Sequence, residues 1–128
     1  MRYKFTSSLT EKEIIETLQN EFQFPFEVTG LEDFNWEEYY VFGPGDAEDY
    51  KKLKNIQPSY KDTFMVLDIK NGFNSEWVID SKDFLAHVKR KSDDKKFYLG
   101  LSEIKALDKN SNNQQLLDDY TEWFYNNL

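Results

Sequence analysis

The sequence predicts an α+β fold, with a mainly antiparallel sheet of about five strands, an N-terminal helix, one mid-chain helix and a C-terminal helix. Short apolar runs bounded by turn signals alternate with segments of helical periodicity, which is typical of mixed folds. Aromatic residues make up 17% of the 128 residues, far more than a disordered chain carries. A chain of this length fits one domain, residues 1–128, better than two.

The N-terminal helix is predicted from its start signal. Thr10 and Glu13 form the T-x-x-E pattern of a capping box, and Leu9 and Ile14 occupy the two hydrophobic staple positions. Apolar residues then recur at helical spacing on one face. They are Ile14, Ile15, Leu18 and Phe22. A short edge strand over residues 2–5 would precede this helix.

The strands are predicted at apolar runs with alternating or continuous hydrophobicity. These runs are residues 24–28, 63–70, 77–79 and 97–101. Pro25 in the first run favours an edge strand or a strand start, because proline cannot donate a ladder hydrogen bond. Asn71-Gly72 is a hairpin signal that would join the second run to the third.

Helices are predicted in the middle and at the end of the chain. The mid-chain helix spans about 82–91, with Asp80 or Ser81 as its cap and Phe84, Leu85 and Val88 on its inner face. Residues 46–55 have the signals of a short helix after the Gly43-Pro44-Gly45 turn. The last helix begins near residue 114 and has one broad apolar face. We expect the helices to cover one face of the sheet and leave the other partly open.

The composition excludes several classes of protein. The chain has no cysteine, which rules out disulfide scaffolds, zinc knuckles and cysteine nucleophiles. Its one histidine, His87, rules out multi-histidine metal sites, and its five glycines form no phosphate-binding loop. We therefore predict that the protein is not an enzyme and uses neither a cofactor nor a metal.

Location and assembly are predicted from what the chain lacks. No apolar run approaches the roughly 20 residues that span a bilayer. The N-terminal residues lack the apolar stretch of a secretory signal. The net charge of −8 argues against direct binding of nucleic acid. We expect a cytoplasmic protein without membrane contact, and a monomer because no feature requires an oligomer.

The negative charge of the chain is concentrated in one stretch. Between Glu27 and Asp49 there are eight acidic residues and no lysine or arginine, whereas the other 105 residues hold sixteen acids and sixteen bases. Aromatic residues are interleaved with these acids, namely Phe34, Trp36, Tyr39, Tyr40 and Phe42. Like charges at this density repel one another and cost stability unless a partner or counterions balance them.

We interpret this stretch as a docking surface for a basic protein. Carboxylates would steer the encounter, and Trp36 with one or two tyrosines would anchor the complex. The predicted binding residues are Glu32, Asp33, Trp36, Glu37, Glu38, Tyr39, Asp46, Glu48, Asp49 and Tyr50. The alternative is a solvated loop whose aromatic side chains turn inward to the core.

Three further signals have structural explanations beside their functional ones. Residues 108–119 loosely follow the spacing of an EF-hand loop, but Gln115 stands where an apolar residue belongs, and a solvated loop is preferred to a calcium site. His87 is interpreted as an ordinary hydrogen-bonded residue rather than a catalytic one. The basic run 89–91 ends the predicted mid-chain helix, where cations complement the helix dipole.

A small, cysteine-free, acidic and aromatic-rich α+β protein resembles the immunity proteins of bacterial toxin systems, of which contact-dependent growth inhibition is one. The segment DDYTEWFY at 118–125 is similar in character to acidic and aromatic C-terminal helices in some of them. The resemblance implies an inhibitor that binds over or beside the active site of a basic toxin nuclease and performs no chemistry of its own.

Three hypotheses for function follow. The first is an inhibitor that neutralises a basic partner, a toxin domain above all. The second is a DNA mimic, which needs acids spaced like phosphates along an extended face. The third is a small enzyme or ligand-binding domain on the open sheet face, which needs a deep aromatic pocket with a carboxylate of raised pKa.

Overall fold

A computed structural model describes residue 5, residues 9–71 and residues 83–126. Four helices and five strands lie in this part of the chain. In order they are α1 (Glu11–Glu21), β1 (Phe26–Gly30), α2 (Glu38–Val41), α3 (Ala47–Leu53), β2 (Phe64–Lys70), β3 (Leu85–Arg90), β4 (Lys96–Gly100), β5 (Ile104–Ala106) and α4 (Asn112–Asn126). Short 3₁₀ turns at Asn35–Glu37 and Leu101–Glu103 precede α2 and β5. The predicted α+β fold with a five-stranded antiparallel sheet is confirmed.

The strands form one sheet in the order β4-β3-β2-β1-β5, and each neighbouring pair is antiparallel. Strand β1 is interior, since it pairs with both β2 and β5. Pro25 stands immediately before the first residue of β1, so it marks a strand start and not an edge strand. A register shift between Val66 and Asp68 interrupts the pairing of β2 with β3.

One face of the sheet forms the hydrophobic core together with α1 and α4. The capping box of α1 is present as predicted, because the backbone N–H of Glu13 donates to Thr10 Oγ1 and the backbone N–H of Thr10 donates to the Glu13 carboxylate. On the last helix the predicted apolar face is buried: Leu116, Leu117, Tyr120, Trp123 and Phe124. The opposite sheet face carries partly exposed residues such as Met65, His87 and Tyr98 among the described strands.

The helix predicted over 82–91 is wrong, because residues 85–90 form strand β3. Phe84, Leu85 and Val88 have helical spacing, but Ala86 and Val88 also alternate with His87 and a lysine in a strand pattern. Pairing with β2 on one side and β4 on the other satisfies the backbone of β3, which local propensity does not report. The mid-chain helix of the fold is α3, whose predicted cap Asp46 accepts from the backbone N–H of Glu48 at 2.9 Å.

Several predictions concern other parts of the chain. The strands at 2–5 and 77–79 and the Asn71-Gly72 hairpin lie outside the described residues or reach beyond them. Strand β5 carried no signal strong enough for prediction, since it is only three residues long. No helix within the described ranges is both long and apolar enough to cross a membrane.

Candidate functional site

Residues 31–50, which hold the predicted docking residues, fold as a helical insertion between β1 and β2. A 3₁₀ turn leads into α2, and the Gly43-Pro44-Gly45 turn then reverses the chain into α3. The turn is tied to α2, because the backbone N–H of Gly45 donates to the carbonyl of Tyr39 at 3.0 Å. Phe34 anchors the start of the insertion in the core, where it is buried. We call the solvent-facing side of residues 31–50 the acidic surface.

A cluster of aromatic rings supports the acidic surface from beneath. Tyr40 stacks on Tyr50 with centroids 5.5 Å apart and planes 8° from parallel. Trp36 packs against both rings, at 6.2 Å from Tyr40 and 5.7 Å from Tyr50. Its indole N–H donates to the carbonyl of Pro58 at 2.6 Å. Offset and edge contacts of this kind stabilise beyond the area they bury, so α2 and α3 are held against each other.

Glu37 lies inside this unit and not on the surface, which corrects its predicted docking role. It is fully buried. One carboxylate oxygen accepts from the backbone N–H groups of Phe34 and Tyr60, and the other accepts from the hydroxyls of Tyr50 and Ser59, over distances of 2.6–3.2 Å. Burial, followed by the neighbouring Glu37 carboxylate, raises the pKa of the Tyr50 phenol. Glu37 is therefore a structural acceptor that fixes the insertion.

Most of the other predicted acids do face solvent. Glu32, Glu38, Asp46, Glu48 and Asp49 are exposed, and Asp33 is half-buried. Glu27, at the other end of the acidic stretch, lies on β1 and pairs with Lys91 at 2.8 Å. The structure thus places five exposed carboxylates and one half-buried carboxylate on one helical insertion. Glu27 lies apart from them, on the sheet.

The exposed aromatic residues agree only in part with the predicted ones, since Tyr39 was predicted and Phe42 was not. Trp36 and Tyr50 are half-buried, with their polar atoms bound inside the protein, so they support the surface more than they project from it. Tyr39 is 56% exposed and Phe42 is 80% exposed. Phe42 was not among the predicted binding residues. Its position directly before the Gly43-Pro44-Gly45 turn is a signal that could have identified it, because residues at tight turns seldom reach the core.

Lysines bound the acidic surface at one end. Lys51 and Lys52 lie in the last turn of α3, opposite the acids of its first turn. Lys54 places its ammonium 4.7 Å from the centre of the Tyr50 ring. This order of charges complements the helix dipole, with carboxylates at the N-terminus and cations at the C-terminus. The acids of the two helices therefore lie on α2 and at the start of α3, and the lysines lie at the end of α3.

Arg90 secures the insertion to the β3–β4 hairpin. It is almost wholly buried, and its guanidinium donates to the backbone carbonyls that follow α3, at Lys54, Asn55 and Gln57. It also pairs with Asp62 at 3.0 Å and Asp93 at 2.8 Å. Asp62 in turn accepts from the backbone N–H of Ser59, which joins Arg90 to the Glu37 network. The basic run 89–91 is therefore not one cationic cluster at a helix end, since its middle member is interior.

The calcium-like loop and His87 were two minor signals of the sequence. Asp119, the last residue of the calcium-like loop, is buried on α4 and accepts from Gln115. No group of three His, Asp or Glu side chains within the described ranges is placed to hold a metal. His87 stacks on Tyr98 at 4.7 Å, with Asp68 3.8 Å from its ring nitrogen, on the partly exposed sheet face.

These features define an α+β protein with an acidic, aromatic-supported helical insertion between the first two strands of an antiparallel sheet. Comparison with protein-family models, with curated proteins and with solved structures gave no match to the chain. The geometry of the acidic surface is therefore the basis for assigning a function.

Proposed function

We propose that the protein is a small binding protein that inhibits a basic partner by docking through its acidic surface. The observation that carries the proposal is that Tyr39 and Phe42 are exposed on the same helical insertion as five exposed carboxylates. Large exposed aromatic side chains inside a charged field are typical of interface anchors. The acids on the same insertion favour a basic partner, because complementary charge steers the encounter.

The rigidity of the surface favours tight binding. Ordering side chains and loops on binding costs conformational entropy. A surface that is already ordered avoids part of this cost and therefore binds more tightly. Here the aromatic cluster, the buried Glu37 carboxylate and the Arg90 guanidinium fix the backbone on which Phe42 stands. A surface of this kind inhibits by occupying its partner and needs no catalytic group.

The chemistry of the surface fits a nuclease-type toxin domain as the partner. Proteins that act on nucleic acid present clustered lysine and arginine side chains around the cleft that binds phosphate. A compact patch of carboxylates with an apolar centre would cover such a cleft. The resemblance to toxin-immunity proteins supports the same proposal.

The proposal is tested by capture from a lysate of the source organism at low salt, followed by identification of the captured protein and kinetics with both purified proteins. Glu48→Gln/Asp49→Asn should slow association and weaken its dependence on salt, because carboxylates steer the encounter. Glu11→Gln/Glu16→Gln is the matched control, since it also removes two exposed acids, but from α1. Phe42→Ala should mainly speed dissociation.

Three results would contradict the proposal. One is that the unaltered protein captures no basic protein. Another is that both double variants change association equally, which would indicate net charge without a surface. The third is that Phe42→Ala leaves dissociation unchanged, which would place the anchor elsewhere. If DNA displaces the captured partner, the surface covers a nucleic-acid cleft.

A further inference from the structure

A recess lies where the acidic surface meets the C-terminal helix. It has a volume of about 140 Å³. Its lining comes from the residues that follow β1, from α2, from the 3₁₀ turn before β5 and from α4. The lining residues are Leu31, Glu32, Asp33, Glu38, Ser102, Glu103 and Tyr125. Only three of these, Glu32, Asp33 and Glu38, belong to the docking residues predicted from the sequence.

The size of the recess decides what kind of ligand it takes. A water molecule occupies about 30 Å³ in the liquid, so the recess corresponds to roughly five waters. Sites for cofactors and drug-sized molecules occupy about 300–1,000 Å³. The recess is therefore too small for such a molecule and large enough for the end of one side chain.

The lining decides the chemistry of that side chain. Four of the seven lining residues are acidic, and no lysine or arginine stands among them. Leu31 and Tyr125 supply an apolar rim, at 47% and 60% exposure. Carboxylates alone would only make a solvated acidic patch. A concave volume whose rim includes an aromatic ring and an aliphatic side chain also accommodates the stem of a long cationic side chain.

Contacts within the protein position several walls of the recess. The backbone N–H of Leu31 donates to the carbonyl of Glu103 at 2.9 Å, which ties two sides together. Ser102 donates its hydroxyl to the buried Asp83 at 2.7 Å. The ring of Tyr125 packs edge-on against Phe124, with centroids 5.4 Å apart. The sides of the recess formed by Leu31 and Ser102 are thus held by hydrogen bonds within the protein, which lowers the cost of ordering them on binding.

We propose that this recess receives an arginine side chain of the basic partner. A planar guanidinium can stack on the Tyr125 ring while it donates to more than one carboxylate, whereas an ammonium is a compact point charge. Because Glu38 belongs both to the recess and to α2 of the acidic surface, one partner can engage Phe42 and the recess together. This inference rests on the proposed function and adds a second anchor of defined chemistry.

The test needs no partner. The unaltered protein is titrated with N-acetyl-arginine amide, and backbone amide shifts are followed by NMR. We expect saturable shifts at Leu31, Ser102 and Tyr125, with weak affinity. N-acetyl-citrulline amide, which has a similar shape but no charge, should not produce them. Glu32→Gln/Asp33→Asn should weaken arginine binding about fivefold, since two exposed ion pairs contribute roughly 1 kcal/mol together. Glu48→Gln/Asp49→Asn should leave it unchanged.

Each outcome decides the inference. Saturable shifts by arginine alone, with an affinity weakened about fivefold in Glu32→Gln/Asp33→Asn and unchanged in Glu48→Gln/Asp49→Asn, support it. Equal shifts with the citrulline compound, stronger binding of N-acetyl-lysine amide, or no saturable shift would overturn it. If arginine does not bind but partner capture still depends on Phe42, the recess is not an arginine site and the proposed function stands. Arginine binding without any captured basic partner would remove the proposed function, and with it the role of the recess in docking that partner.

Discussion

The phenol oxygen of Tyr50 lies 2.6 Å from a carboxylate oxygen of the buried Glu37, so α3 is hydrogen-bonded to the turn that begins α2. The same carboxylate oxygen accepts from the hydroxyl of Ser59, 22 residues further along the chain than Glu37. A single acidic side chain thereby joins two parts of the insertion to the segment that precedes β2. Its removal should loosen the acidic surface as a whole, because buried polar networks are costly when partly satisfied.

Glu37→Gln should lower the free energy of unfolding by about 2 kcal/mol. Glu37 only accepts hydrogen bonds, from four donors, and an amide would turn one acceptor into a donor facing donors. Urea denaturation measures the change. Glu38→Gln is the control, since Glu38 is exposed, and it should stay within about 0.5 kcal/mol of the unaltered protein. Equal stability of the two variants would contradict the structural role of Glu37.

Arg90→Lys should lower the free energy of unfolding by about 3 kcal/mol. The guanidinium makes six hydrogen bonds to Asp62, Asp93 and three backbone carbonyls, and one ammonium cannot replace them. Thermal and urea unfolding both report this loss. Lys91→Gln is the comparison, because it breaks only the half-exposed pair with Glu27 and should cost no more than about 1 kcal/mol. Similar losses in the two variants would show that Arg90 does not secure the insertion.

Stability should fall with acid through Asp93. Hydrogen bonds from the Arg90 guanidinium lower the pKa of Asp93 from 3.8 to about 2, assisted by the backbone N–H of Lys95 and opposed by burial. Because the pKa is lower in the folded state, the stabilisation is present above pH 4 and is lost between about pH 4 and pH 2. Asp93→Asn should therefore be less stable at pH 7 and should lose less stability over that interval. If the free energy of unfolding of the unaltered protein and of Asp93→Asn changes in parallel with pH, Asp93 is not the source of the acid sensitivity.

Phe42→Ala should leave folding unchanged while it weakens docking. The side chain is 80% exposed and therefore contributes little to the core. We expect the opposite for Tyr50→Phe. It removes the hydroxyl that donates a hydrogen bond to Glu37 and should lower the free energy of unfolding by about 1–2 kcal/mol. Melting temperatures of both variants, measured beside dissociation rates from the partner, separate support from contact. A large loss of stability in Phe42→Ala would mean that this residue is structural.

Local sequence signals were sufficient to predict the helices whose start or apolar face depends on residues close together in the chain. Thr10 and Asp46 begin helices because their side chains satisfy nearby backbone N–H groups, and both caps are present. The apolar face of α4 was predicted from its spacing alone. Strand β3 was not predicted, because the apolar spacing in LAHVKR fits both a helix and a strand. Pairing with β2 and β4 is what makes this segment a strand.

The sequence by itself determined that the excess negative charge and a run of aromatic residues occupy one stretch between Glu27 and Asp49. Only the tertiary structure decided which of these side chains a partner can reach. Glu37 and Glu38 are adjacent acids, yet the first is buried and the second is exposed. The donors that make burial of Glu37 favourable include Ser59 and Tyr60, more than twenty residues away, and no local pattern of charge contains them.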